Sequence, residues 1–182
     1  YNDGAKSATA ATRDYVLSLD TSGDPLLNVF GGKITTYRRL AESAMEKIQG
    51  YFPQVKGPWT ARVALPGGDF PQDGVAALRD RLMTRYTFLT EYHAARLLRA
   101  YGTEAFAVLG NASAMSDLGQ DFGATLTEAE VRWLMQKEWA RHAGDVVWRR
   151  TKLGLRLTAQ QIDTLEAFMA RADAGAVSPA AE

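Results

Sequence analysis

The spacing of apolar positions changes in kind near residue 33. Upstream, RDYVLSLD (13–20) alternates, with Tyr15, Leu17 and Leu19 on one side, Ser18 and Asp20 on the other, and only Val16 out of step. That period of two predicts a β-strand. TSGDP (21–25) collects residues that tolerate a turn, and LLNVF (26–30) is a second short β-prone run, so a hairpin is expected. Beyond Gly32 the period lengthens. Ile34, Tyr37, Ala41, Ala44 and Ile48 follow steps of three and four, with Leu40 and Met45 beside them. Arg38, Arg39, Glu42, Glu46 and Lys47 fall on the other side, which predicts an amphipathic helix closed by Gly50 and Pro53.

From about residue 58 the pattern is helical throughout. ALPGGDFPQDG (64–74) is a loop rich in Pro and Gly. Helices are expected over about 73–85, 91–101, 103–109, 128–142 and 159–172, with a shorter one near 144–151. Thr127 with Glu130, and Thr158 with Gln161, have the spacing of a capping box, in which two side chains satisfy orphan N–H groups at a helix start. Val131, Leu134, Met135 and Trp139 form one apolar stripe; Ile162, Leu165 and Met169 form another. Trp133, Trp139 and Trp148 point to a substantial core. Residues 1–12 carry no clear pattern, and the tail 173–182 is poor in packing residues and expected to fray.

Composition narrows the function classes. The chain has 182 residues, no formal net charge and no cysteine. Zero net charge argues against a general nucleic-acid or polybasic surface, so no nucleic-acid partner is expected. The lack of cysteine removes disulfide and thiolate chemistry and suits a reducing compartment. No apolar run reaches the roughly 18 residues of a membrane-spanning helix. The chain opens at Tyr1 without methionine, which reads as a piece of something longer.

The chemistry concentrates in NVFGGKITTYRRL (28–40). A strand delivers the chain to Gly31 and Gly32, where the lack of Cβ atoms permits a sharp turn and close approach of a ligand. The helix that follows offers free N–H groups and the positive end of its dipole. Lys33 adds a full charge, and Thr35 and Thr36 add hydroxyls. Such a turn suits phosphate, carboxylate or a delocalised organic anion, although an ordinary turn with a solvated lysine has the same letters. Neither the P-loop spacing nor G-x-G-x-x-G occurs in the chain.

LLNVFGGKITTYRRLAESAMEKI (26–48) resembles the end of the flavin domain of FAD-dependent glycerol-3-phosphate dehydrogenases of the aerobic, quinone-linked kind. TRDYVLSLD (12–20), PWTARVALPGGDF (58–70), RYTFLT (85–90) and the run 116–155 resemble further parts of that family in the same order. The resemblance implies a mainly α fold: a small β-hairpin plus helix, the remnant of the FAD-binding domain over residues 1–57, then a helical C-terminal domain over 58–182. It implies a parent flavoenzyme that oxidises sn-glycerol 3-phosphate to dihydroxyacetone phosphate by hydride transfer to FAD and passes electrons to quinone. The dinucleotide fingerprint and most FAD contacts would lie in a longer N-terminal part, so this chain alone is expected to be inactive.

By the same resemblance Gly31, Gly32, Lys33, Ile34 and Thr35 contact the cofactor, with the Ile34 and Thr35 N–H groups facing the pyrimidine end of the flavin. Lys33 lies near substrate as well. Arg13, in TRDY, holds the substrate phosphate, a task suited to a planar fork that stays charged; read alone, it is an ordinary arginine at a strand start. No general base is identifiable. His93 and His142 fall on expected helices as structural or surface residues, and no metal site is expected. WRRTK (148–152) reads as a solvated helix end, with phospholipid or a partner as the alternative. DLGQDFG (117–123) lacks the calcium-loop spacing and reads as a structured loop. The expected place is the cytoplasm, peripheral on the inner face of the cell membrane. A membrane surface and a homodimer stay open as partners. Two other readings also stay open: an oxidase that uses oxygen, and a helical interaction module with no chemistry of its own.

Overall fold

A computed structural model of the chain describes residues 15–176, with side chains through residue 172. These residues form two compact units that divide between Ala64 and Leu65.

In the first unit, strands β1 (Tyr15–Asp20) and β2 (Leu26–Gly31) pair antiparallel, from Tyr15 opposite Gly31 to Asp20 opposite Leu26. The hairpin is therefore the one the alternating pattern implies. The Asp20 carboxylate accepts from the Ser22 N–H at 2.9 Å and the Ser22 hydroxyl at 2.7 Å, which closes the turn. Helix α1 (Tyr37–Ile48) follows a 3₁₀ turn over Ile34–Thr36. It meets β1 through Tyr15 Oη and Ser43 Oγ, 3.1 Å apart.

The helix departs from expectation in two ways. Its α-helical part starts at Tyr37 rather than at Ile34. Its apolar stripe is also largely uncovered: Ile34 is 88% exposed, Tyr37 53% and Met45 39%, while Leu40, Ala44 and Ile48 are half-buried. Arg38 and Glu42, expected on the solvent side, are half-buried instead, because Thr60 folds back onto them. No described residue between Tyr15 and Ala64 is fully buried.

The second unit is helical. Helices α2 (Val75–Arg85), α3 (Glu91–Tyr101), α4 (Ala105–Leu109), α5 (Glu128–Lys137) and α6 (Ala159–Ala176) surround a core that includes Leu82, Tyr86, Leu97, Val131, Leu134, Val147, Leu165 and Met169. Strands β3 (Asp121–Gly123) and β4 (Leu126–Thr127) form a short antiparallel hairpin against α6. The loop at 64–74 approaches α3 so closely that a Cβ on Gly102 would lie 1.9 Å from the Gly67 carbonyl oxygen. A mainly α fold with small antiparallel hairpins thus agrees with the fold class implied by the sequence.

Four details correct the sequence reading. Helix α5 stops at Lys137 instead of 142, because the chain turns left-handed at Trp139 (φ 54°) and the Ala140 N–H returns to the Leu134 carbonyl at 3.0 Å. Trp139 is consequently outside the apolar stripe and 77% exposed. Trp148 is 44% exposed, its ring lying over Gly154, so of the three tryptophans only Trp133 packs against the core. His142 stands in the turn after α5 rather than on a helix. The Thr127–Glu130 capping box is absent: Thr127 makes no side-chain cap, and Glu130 turns inward to Arg96. The second box does form, with the Thr158 N–H donating to Gln161 Oε1 at 2.9 Å and the Gln161 N–H to Thr158 Oγ1 at 3.3 Å.

Candidate functional site

The turn after β2 is built by backbone conformation. Gly31 (φ 74°) and Gly32 (φ 109°) both lie in the region that favours glycine. A Cβ on Gly32 would meet nothing closer than 3.9 Å, so the requirement there is conformational rather than steric. Lys33 is extended (φ −114°, ψ 149°) and opens the 3₁₀ turn. The Thr36 N–H and hydroxyl both donate to the Lys33 carbonyl at 3.0 Å, and the Lys33 N–H donates to Thr36 Oγ1 at 3.4 Å. Thr36 is thereby used inside the turn.

The N–H groups of Ile34 and Thr35 precede the first bond of that turn and point out of its start. Gly31, Gly32, Lys33, Ile34 and Thr35 are all exposed. Among the described residues, the Lys33 ammonium forms no ion pair. The structure therefore collects five of the sequence-derived site residues in one exposed turn. Among the described residues its donors are one ammonium and N–H groups that bond no carboxylate, which suits an electron-rich or anionic group. Arg13 lies outside the described residues.

Sequence reasoning missed the cluster behind this turn. Glu42 accepts from the Thr60 N–H at 3.1 Å, from the Thr60 hydroxyl at 2.5 Å and from Arg38 Nη1 at 2.9 Å. The Thr60 hydroxyl, followed by the Thr60 N–H and Arg38, holds the Glu42 carboxyl below its ordinary range against the opposing effect of desolvation. Only the Arg38–Glu42 pair, four residues apart on a helix, was visible in the letters.

In the helical unit, the basic run is largely engaged with main chain. Arg150 Nε donates to the Glu138 carbonyl at 3.0 Å, Arg149 pairs with Asp145 at 3.2 Å, and Lys152 Nζ bonds the Trp148 carbonyl. Arg150 is half-buried, so this end is held by protein acceptors more than the solvated reading supposes. His93 is 2% exposed. Burial, followed by the nearby Arg96 charge, pushes its pKa down to about 4, so it is neutral at pH 7 and unsuited to acid–base work there.

Comparison with known proteins places these observations. The model of the family described as the C-terminal domain of alpha-glycerophosphate oxidase matches residues 58–173. The chain is 48% identical over 164 residues to the aerobic glycerol-3-phosphate dehydrogenase of Escherichia coli (strain K12), covering 88% of this chain and 32% of that protein. It is 44% identical over 162 residues to the glycerol-3-phosphate dehydrogenase of Pseudomonas aeruginosa, covering 88% of this chain and 31% of that one. It is 43% identical over 159 residues to the D-erythritol 1-phosphate dehydrogenase of Brucella abortus, covering 87% and 32% respectively. The chain thus spans about a third of the length of these relatives.

Proposed function

The chain belongs to the family of the C-terminal domain of alpha-glycerophosphate oxidase, and from that premise we propose that it is the carboxy-terminal part of a flavin-dependent enzyme oxidising sn-glycerol 3-phosphate to dihydroxyacetone phosphate. In this reading residues 1–57 complete the FAD-binding domain and 58–182 form the helical domain. Three relatives at 43–48% identity carry dehydrogenase names, which favours quinone over oxygen as the electron acceptor. Two of them act by name on glycerol 3-phosphate and one on D-erythritol 1-phosphate; the common element is a phosphorylated polyol.

The observation that carries the reading is the exposed turn at Gly31–Thr35, whose Lys33 ammonium forms no ion pair among the described residues. Bound FAD supplies the hydride acceptor for C2 of the substrate. The protein's part is electrostatic. The Lys33 ammonium and the Ile34 and Thr35 N–H groups stabilise negative charge beside the turn, and the N–H groups, fixed by the bonds between Lys33 and Thr36, are oriented before that charge develops. Gly31 and Gly32 keep side chains out of its approach. Arg13 is assigned the substrate phosphate, and Lys33 a share in substrate binding.

No helix among the described residues is long and apolar enough to cross a membrane. Peripheral attachment to the inner face of the cell membrane and a homodimer complete the proposal. The uncovered apolar side chains of the first unit favour association of that kind.

Stopped-flow reduction of the flavin in the complete polypeptide tests the assignment. Lys33→Ala slows reduction by about tenfold or more, and Arg13→Ala raises KM for the phosphorylated substrate. An unchanged reduction rate in Lys33→Ala removes the turn from the mechanism.

A further inference from the structure

We infer that Glu42 is a positioning residue: its carboxylate fastens the chain around Thr60 to the opening turns of α1, and so fixes the turn that carries Lys33. The inference rests on the proposed flavin-facing role of that turn.

From Gln49 to Ala64 every residue except Thr60 is exposed. The segment therefore has no fully buried apolar anchor, and Trp59 beside the contact is itself 64% exposed. What holds it is a closed polar ring. Glu42 Oε1 takes both Thr60 donors, at 3.1 and 2.5 Å, Glu42 Oε2 takes Arg38 Nη1 at 2.9 Å, and the same Nη1 reaches Thr60 Oγ1 at 3.3 Å. Hydrogen bonds to an ionised carboxylate are the strong kind. Arg38 belongs to the first turn of α1, immediately after the 3₁₀ turn that begins at Lys33. Glu42 lies one turn further on. One ring thus secures both the loose segment and the leading end of the helix. Small displacements of that end matter, because a misplacement of about 1 Å at a reacting group can cost on the order of a hundredfold in rate.

The test uses the complete polypeptide with two readouts. Glu42→Ala should raise tryptic cleavage after Lys56 and Arg62 by about tenfold, the scale of one lost charge-assisted hydrogen bond, and should also slow flavin reduction by substrate. Glu42→Gln keeps an acceptor oxygen for Thr60 and should restore part of both. Thr60→Val removes only the hydroxyl, should lie between wild type and Glu42→Ala, and carries the test if Glu42→Ala does not fold. Wild-type cleavage rates in these variants overturn the inference. So does faster cleavage with unchanged flavin reduction, which would leave Glu42 a merely structural contact. If Lys33→Ala slows reduction and Glu42→Ala does not, the positioning role alone falls; if neither does, the flavin reading falls and takes the inference with it.

Discussion

Replacing Glu130 by glutamine separates two accounts of one residue. As the third residue of a capping box, position 130 accepts Gln as readily as Glu, and the substitution would be close to neutral. The structure puts the side chain elsewhere. Glu130 is 0% exposed, and its oxygens accept from Arg96 Nη1 at 2.7 Å, Arg96 Nη2 at 2.6 Å and Tyr101 Oη at 2.7 Å. The Arg96 side chain is only 13% exposed, so solvent screens this pair little. Burial, then the Glu130 charge, pushes the Tyr101 phenol well above its ordinary range, which keeps it a donor. Glutamine retains the shape and one acceptor but leaves the guanidinium without a counter-charge. Breaking one side of a buried pair costs about 3–5 kcal/mol. Taking the lower end for an isosteric change, a domain of this size should lose roughly 10–15 °C of thermal midpoint. Urea and thermal unfolding followed by far-UV circular dichroism provide the measurement. A loss below about 1 kcal/mol would refute the ion-pair account, the scale of an ordinary neutral hydrogen bond being all that remained.

Two further outcomes are expected. His93, held neutral by burial with a folded pKa of about 4, binds its proton in the unfolded chain near pH 6.5; the unfolded state therefore carries more protons between those values, and stability falls as pH drops through that window, by about 3 kcal/mol in all. The positive charge of Arg96 opposes protonation and Glu130 and Asp121 favour it; His93→Leu should flatten the slope of stability against pH, and an unchanged slope assigns it to other groups. Gly102→Ala would drive a Cβ to 1.9 Å from the Gly67 carbonyl oxygen at φ 54° and should cost roughly 2 kcal/mol or more. Gly110→Ala, at φ 56° and ψ −125° with nothing within 4 Å, should cost only the backbone strain of about 1–3 kcal/mol, and Gly102→Ala, with nearly the same backbone, more; equal losses in urea titrations would show that the clash is relieved.

The legible parts were those governed by neighbours in the chain. The alternation at Tyr15, Leu17 and Leu19 gave β1, the two glycines marked the turn before Lys33, and Thr158 with Gln161 marked the start of α6. The Thr127–Glu130 spacing looked the same in the letters, yet a guanidinium from α3 claims Glu130. Nor does the hairpin of β3 and β4 announce itself. Its turn residues Ala124 and Thr125 have φ of 49° and 68° without being glycine or asparagine. Arg96 holds that conformation, donating from Nε to Thr125 Oγ1 and from Nη2 to the Thr125 carbonyl, each at 2.8 Å. One arginine thus stabilises a turn that local propensity disfavours and withdraws a cap that local propensity proposes. Trp139 was misread for a related reason. Its apolar character fits a helical stripe, but Arg150 takes the Glu138 carbonyl and the helix has already ended. In the Arg96 cases the deciding contacts lie 29 and 34 residues apart in sequence, beyond any window read for periodicity.

The exposed side chains around Lys33 constrain what the turn receives. Phe30 is 41% exposed, Ile34 88% and Tyr37 53%. Covering a large apolar side chain is worth about 1.5–3 kcal/mol. A small, fully hydrated anion would answer the charge of Lys33 and leave these surfaces wet. On the proposed reading, a flat apolar ring with electron density gathered at one edge would answer both, with Lys33 and the Ile34 and Thr35 N–H groups meeting its charge and Ile34 offering apolar cover. On that reading inorganic phosphate, which meets only half of the requirement, should neither order the first unit nor compete well for it.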